Sequence, residues 1–377
     1  MTDELESFHL RATQAEREGD AAEAWEYCSG IPMFRRSRHR GLLAQLVAAT
    51  GELTPWTWAR WIVYLALRAE DPGSATAERL RRAREDAGDS LHGDLLDTAY
   101  DEGGDPVKVV ARVMGESWAF HQLAAYEYGV LESFLDELAG EGLLDHADLA
   151  RRWIGCAMSG YRIEGRGGPG RLAVCDLAHE ETAGASLEVL DLGAAALAGP
   201  EGCVIGRLVP SDTTPALMFD MAPLAVDETT ARDVAWSTGD GWIDALMAGI
   251  EAGRLDGGDL LREDYELMSD VLSLGLLEFG TAPTELARVW TQLEQGRDEV
   301  GRAAFRVLRD ASVGDLDDAA APYVASAVLN PHAYDEARRK LAPPGRAEHW
   351  RHWADLSTDP ARSRLLGLAG ASAEADR

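Results

Sequence analysis

The sequence predicts an α+β fold that is predominantly α-helical, with a small antiparallel β-barrel or sheet inserted between two helical arms. Three observations predict it. Apolar residues recur with a period near 3.6 in the first part of the chain, up to about residue 158. From Tyr161 the pattern changes to short alternating or apolar runs divided by turn residues. After Asp227 the helical period returns. The expected organisation is a helical domain over 1–158, a small β domain over 159–226, a helical domain over 227–369, and a small, polar tail over 370–377 that frays.

The first arm reads as a series of helices. Glu4 to Arg17 carries a stripe of Leu5, Phe8, Ala12 and Ala15 and stops at Gly19-Asp20; a second helix, with Ala24, Trp25 and Tyr27, ends near Gly30 and Pro32. Two short amphipathic helices joined by a Gly-Asp turn make an αα-hairpin. Further helices are expected over 34–49, 55–69, 75–87, 105–115, 117–139 and 143–158. The run from Glu116 to Leu138 has the most sustained period and is the longest helix expected, with Gly140 and Gly142 as its stop.

The middle segment reads as strands. Tyr161-Arg162-Ile163-Glu164 alternates, and Gly165-Arg166-Gly167-Gly168-Pro169-Gly170 makes a turn. Leu172–Leu177, Leu187–Leu190, Cys203–Val209 and Ala216–Phe219 follow at barrel-like spacing. Beyond Asp227, helices are expected at 229–236, 241–251, 260–279, 283–294, 299–310, 315–329, 334–341 and 347–356.

Two resemblances sit on these residues. The stretch through Gly19, Asp20, Ala24, Trp25 and Tyr27 resembles one tetratricopeptide hairpin of about 34 residues, with no second copy at that period. The segment ending in Ile205-Gly206-Arg207-Leu208-Val209-Pro210 resembles the small SH3-like or OB-like barrels embedded in actinobacterial proteins, and that likeness implies no activity.

Composition narrows the functional classes. Of 377 residues, 46% are apolar and 27% charged, a mixture that buries a core and, at this length, fills two or three domains. The formal charge is −29, of which residues 1–150 carry −14, residues 151–226 carry −3 and residues 227–377 carry −12. So acidic a surface repels phosphate backbones and anionic lipid, which argues against direct nucleic-acid binding. No apolar run is long enough to span a bilayer, and Met1-Thr2-Asp3-Glu4-Leu5-Glu6 lacks the basic-then-apolar order of a secretory leader. Cys28, Cys156, Cys175 and Cys203 form no C-x-x-C pair and lie in apolar contexts, as buried reduced thiols of a cytoplasmic protein do.

Few motifs point to chemistry. Gly165-x-Gly167-x-x-Gly170 matches a dinucleotide fingerprint as a string, but Pro169 and a following strand make it a hairpin. His349 and His352 share a helix face, a spacing that offers two ligands to a metal and lacks a third. Arg35, Arg36, Arg38 and Arg40 form the densest basic run, a candidate contact for an acidic partner, with a second basic stretch from Arg338, Arg339 and Lys340 through Arg346 and Arg351. Trp56, Trp58 and Trp61 lie at helical spacing and offer either core or an aromatic groove for a partner segment. No G-x-S-x-G elbow, Walker loop, kinase signature or EF-hand is present, and no cofactor is called for.

The leading expectation is therefore a non-enzymatic interaction or scaffold protein that binds a protein or peptide through helical-hairpin surfaces. One alternative is an enzyme with a pocket between the β domain and the helices, where His121 and His179 are the first candidates. Another is an acidic decoy for a basic, nucleic-acid-binding partner.

Overall fold

A computed structural model describes residues 3–32, 55–93, 106–168, 171–181, 186–190, 202–213, 215–261, 345–355 and 361–375, together with Phe34, His39, Leu43, Leu46, Val47, Asp97 and Val328. The helices expected over 260–279, 283–294, 299–310, 315–329 and 334–341 fall outside these residues, as does most of 34–49.

The helical arm begins with α1 (Asp3–Arg17) and α2 (Ala21–Gly30), the expected hairpin. Asp20 caps α2 by accepting from the Glu23 amide at 2.9 Å. Next come α3 (Pro55–Ala66), α4 (Ala75–Leu91) and α5 (Pro106–Glu116). Helix α3 is apolar almost all round, and Trp56, Ala59, Trp61, Ile62, Val63 and Leu65 are all buried, which makes it the central core helix.

The long helix expected over 117–139 is broken. It consists of α6 (Trp118–Gln122), a π-helical turn over Leu123–Glu127, and α7 (Val130–Glu137). Gly129 sits between them in the left-handed region at φ 65°, a conformation glycine adopts without penalty. The apolar period runs straight through this break because both halves bury the same face; the glycine was the signal against continuity. The helix expected over 143–158 is likewise two short pieces, α8 (Glu141–Leu144) and α9 (Asp148–Trp153).

Six strands follow: β1 (Met158–Gly168), β2 (Arg171–Asp176), β3 (Ser186–Leu190), β4 (Cys203–Pro210), β5 (Leu217–Phe219) and β6 (Leu224–Val226). Their order is β1-β2-β3-β5-β4 with β4 returning to β1, so five strands close a small barrel. Not every pairing is antiparallel: β3 and β5 run parallel, Val189 opposite Leu217 and Leu190 opposite Met218. Along one edge of β4, β6 covers Cys203–Ile205 and β5 covers Leu208–Pro210; between them Asp220–Pro223 form a step held by the Asp220 amide, which donates to the Arg207 carbonyl at 3.1 Å. Of the glycine string, residues 165–168 end β1, with Gly168 opposite Arg171 of β2, as a hairpin requires.

Beyond the barrel, α10 (Glu228–Ala235) is capped by Asp227, which accepts from the Thr230 amide at 3.1 Å. It lies so close to β1 that a Cβ on Gly160 would fall 1.9 Å from the Ala231 carbonyl oxygen. Helices α11 (Trp242–Glu251), α12 (Ala347–Asp355) and α13 (Ala361–Ala375) complete the described elements. The tail expected to fray from residue 370 instead continues α13 to Ala375, with Leu365, Leu368, Ala369 and Ser372 buried.

Among the described residues, two apolar clusters hold the fold. Tyr161, Ile163, Leu172, Val174, Val189, Val204 and Phe219 fill the barrel. A larger cluster joins the helices to the barrel wall through Ile205, Val209, Met218 and Leu224. Among the described residues, no helix is long and apolar enough to cross a membrane.

Candidate functional site

The densest gathering of polar side chains lies buried between the helices and the barrel. Asp220 occupies the step between β5 and β6, and its Oδ2 accepts from Gln122 Nε2 at 2.8 Å. The Gln122 amide oxygen in turn accepts from Arg207 Nε at 2.8 Å. Arg207, in the middle of β4, donates through Nη1 to the Cys156 carbonyl at 2.6 Å and through Nη2 to Glu127. Glu127 Oε1 also accepts from Trp242 Nε1 at 2.9 Å. The guanidinium carbon stands 4.5 Å from the centre of the Tyr126 ring, a cation–π contact. Gln122, Tyr126 and Glu127 come to this place because the chain leaves the α-helix there for a π-helical turn, a distortion often found at functional sites.

From the other side Arg60 of α3 donates to the Phe219 carbonyl at 2.8 Å, its guanidinium carbon 5.5 Å from the Trp56 ring centre. Trp118 and Trp153 donate to the Ala222 and Pro210 carbonyls, each at 2.9 Å. Helical side chains thus donate to barrel carbonyls, which ties the two parts together while satisfying buried backbone.

Burial sets the electrostatics. It pushes the Asp220 carboxyl up, against the opposing pull of Gln122 and Arg207. It holds the Tyr126 hydroxyl well above the usual phenol range and lowers Arg60 to about 10, so Arg60 stays charged at neutral pH. Tyr126, Arg60 and Asp220 feel one another's charge, with the Tyr126 hydroxyl set against the Asp220 carboxyl, while Arg60 Nε and Nη1 make no hydrogen bond. A separate buried pair joins His92 Nε2 to Ser117 Oγ at 2.9 Å, with Ser117 also capping α6.

The residues singled out in the sequence are dispersed. Trp56 and Trp61 are fully buried, so α3 turns both indoles into the core; Trp58 is half-buried and stacks on His146 with ring centres 4.1 Å apart. His121 is buried on α6, whereas His179 is exposed after β2 and lies 3.0 Å from Asp176. His349 and His352 are exposed on α12. Arg35, Arg36, Arg38, Arg40, Arg338, Arg339 and Lys340 lie outside the described residues.

Two further features escape a reading by motif. Glu16 of α1, Cys28 of α2 and His39 bring their ligating atoms within 4.8 Å of one another, the one such group among the described residues. And Trp236, at the end of α10, is 71% exposed, the largest apolar side chain so placed among the described residues. The signal for Arg207 and Asp220 was present: each is a lone charge inside an apolar run, Ile205–Val209 and Leu217–Met221. Nothing local marks Glu16 and His39, which are 23 positions apart.

The chain has no significant match among protein-family models, curated proteins or solved structures.

Proposed function

We propose that the protein is a non-enzymatic interaction protein that holds a basic segment of a partner protein against its helix–barrel body. The observation that carries this reading is Trp236. A large indole left exposed at the end of a firmly docked helix is a natural anchor for a partner side chain. Asp233 stands one turn before it and Asp240 just after it, both exposed, so an arginine of the partner would meet an indole face and carboxylates together.

The barrel supports the same reading. The closed strand order with its parallel β3–β5 pair supports an OB-like likeness over an SH3-like one. OB barrels that bind nucleic acid present aromatic platforms and basic grooves on the central strands. Here the exposed positions on β1 and β3 include Glu164, Ser186 and Glu188, a surface suited to a cationic protein and opposed to phosphate.

A labelled arginine-rich peptide and a labelled single-stranded oligonucleotide, each titrated by fluorescence anisotropy at two salt concentrations, test the proposal. The peptide binds, more weakly at high salt, and Trp236→Ala weakens it by at least ~5-fold, the cost of a modest anchor residue. Peptide binding that ignores Trp236, or oligonucleotide binding of equal strength, overturns it.

A second reading, a small polar ligand or substrate held between barrel and helices, is favoured by the open guanidinium nitrogens of Arg60 beside Tyr126 and Asp220. A ligand screen by thermal shift decides it: a compound that stabilises the native protein and loses its effect in Tyr126→Phe supports this site.

A further inference from the structure

We propose that Glu16, Cys28 and His39 form a binding site for one zinc-type divalent transition-metal ion, which ties the α1–α2 hairpin to His39, a residue packed on helix α3. Three observations converge on it. The donor atoms, a carboxylate oxygen, a thiol sulfur and an imidazole nitrogen, all lie within 4.8 Å of one another. All three residues are buried, at 8%, 2% and 9% exposure. And His39 is already oriented as a ligating histidine is: one ring nitrogen, Nδ1, is 3.2 Å from the Tyr64 hydroxyl, while Nε2 faces Glu16 Oε1 at 2.5 Å. Metal-bound histidines characteristically spend their second nitrogen on such an outer partner, which fixes the ring. Stacking against Trp61 and Tyr64, at ring-centre distances of 5.9 Å and 5.8 Å, holds it further.

The donor set selects the ion. Thiolate and imidazole together disfavour magnesium and calcium, which take oxygen ligands, and suit zinc or cobalt. The charges also balance: a divalent ion with one thiolate, one carboxylate and a neutral imidazole is neutral overall, the condition under which burial costs least. Uptake releases the thiol proton of Cys28, so binding strengthens as pH rises. Three protein ligands leave the fourth tetrahedral position to water. The site is distinct from the His349-x-x-His352 pair, whose rings are exposed on α12.

Cobalt(II) titrated into the full-length, metal-stripped protein tests the proposal. One equivalent is taken up, with a thiolate-to-cobalt charge-transfer band and the visible bands of tetrahedral cobalt. Cys28→Ser abolishes the charge-transfer band, and His349→Ala with His352→Ala leaves it intact. Absence of one-equivalent uptake, a band that survives Cys28→Ser, or a band lost with the α12 histidines overturns the site. Should circular dichroism show Cys28→Ser unfolded, Glu16→Gln decides: affinity weaker by at least ~10-fold supports the site, and unchanged affinity refutes it.

Discussion

Gln122 and Arg207 stand 85 positions apart in the chain, and the 2.8 Å bond from the guanidinium Nε to the amide oxygen fastens the barrel to the helices. Because Arg207 also serves Glu127 and the Cys156 carbonyl, one side chain closes a network reaching α6, α9's exit and β4.

Removing that side chain therefore strips several groups at once. Arg207→Met leaves Glu127 and Asp220 without their cation in a buried setting, a loss of about 3–5 kcal/mol. Urea unfolding followed by circular dichroism measures it. Arg207→Lys recovers only part, since a lysine cannot reproduce the fork of three donors.

His92 makes stability depend on pH. Burial pushes its imidazole down from 6.5 to about 4, so the folded protein keeps it neutral where the unfolded chain takes up a proton. Its contribution is complete above the unfolded value and falls as pH drops from 6.5 through about 4, by no more than about 1.4 kcal/mol per pH unit. The variant His92→Gln flattens the stability profile over that interval; an unchanged slope would assign the titration to other groups.

Tyr126 carries a buried hydroxyl set against the Asp220 carboxyl. Tyr126→Phe keeps the ring under Arg207 and deletes only that group, so stability by urea unfolding falls by about 1–3 kcal/mol, the cost of a buried acceptor losing its donor. An unchanged stability would show that hydroxyl and carboxyl do not bond.

Gly160→Ala tests the fit of α10 on β1. The new methyl meets the Ala231 carbonyl, so the helix must shift away from the strand, at about 1–3 kcal/mol. The shift appears as a lower thermal midpoint and as faster amide exchange along β1 and α10.

The fold class was legible in the residue pattern because burial of one face imposes a period. Leu172, Val174 and Val189 announce strands by alternation, and the caps at Asp20 and Asp227 announce helix starts. The break at Gly129 was not, since α6 and α7 bury the same face and the apolar rhythm passes over the kink. The aromatic cluster at Trp56 and Trp61 illustrates a second limit: spacing puts indoles on a helix and is silent on whether that helix lies at the centre or the rim.

Chain-local pattern determined this protein's acidity, its reduced thiols and its alternation of helical and strand segments, all of which depend on neighbours a few residues apart. Tertiary packing alone decided that β3 and β5 close a ring in parallel, that Arg207 meets Gln122, and that Glu16, Cys28 and His39 converge. Those are pairings over long separations, and which distant groups meet depends on how buried surfaces stack, a property of the whole chain rather than of any window within it.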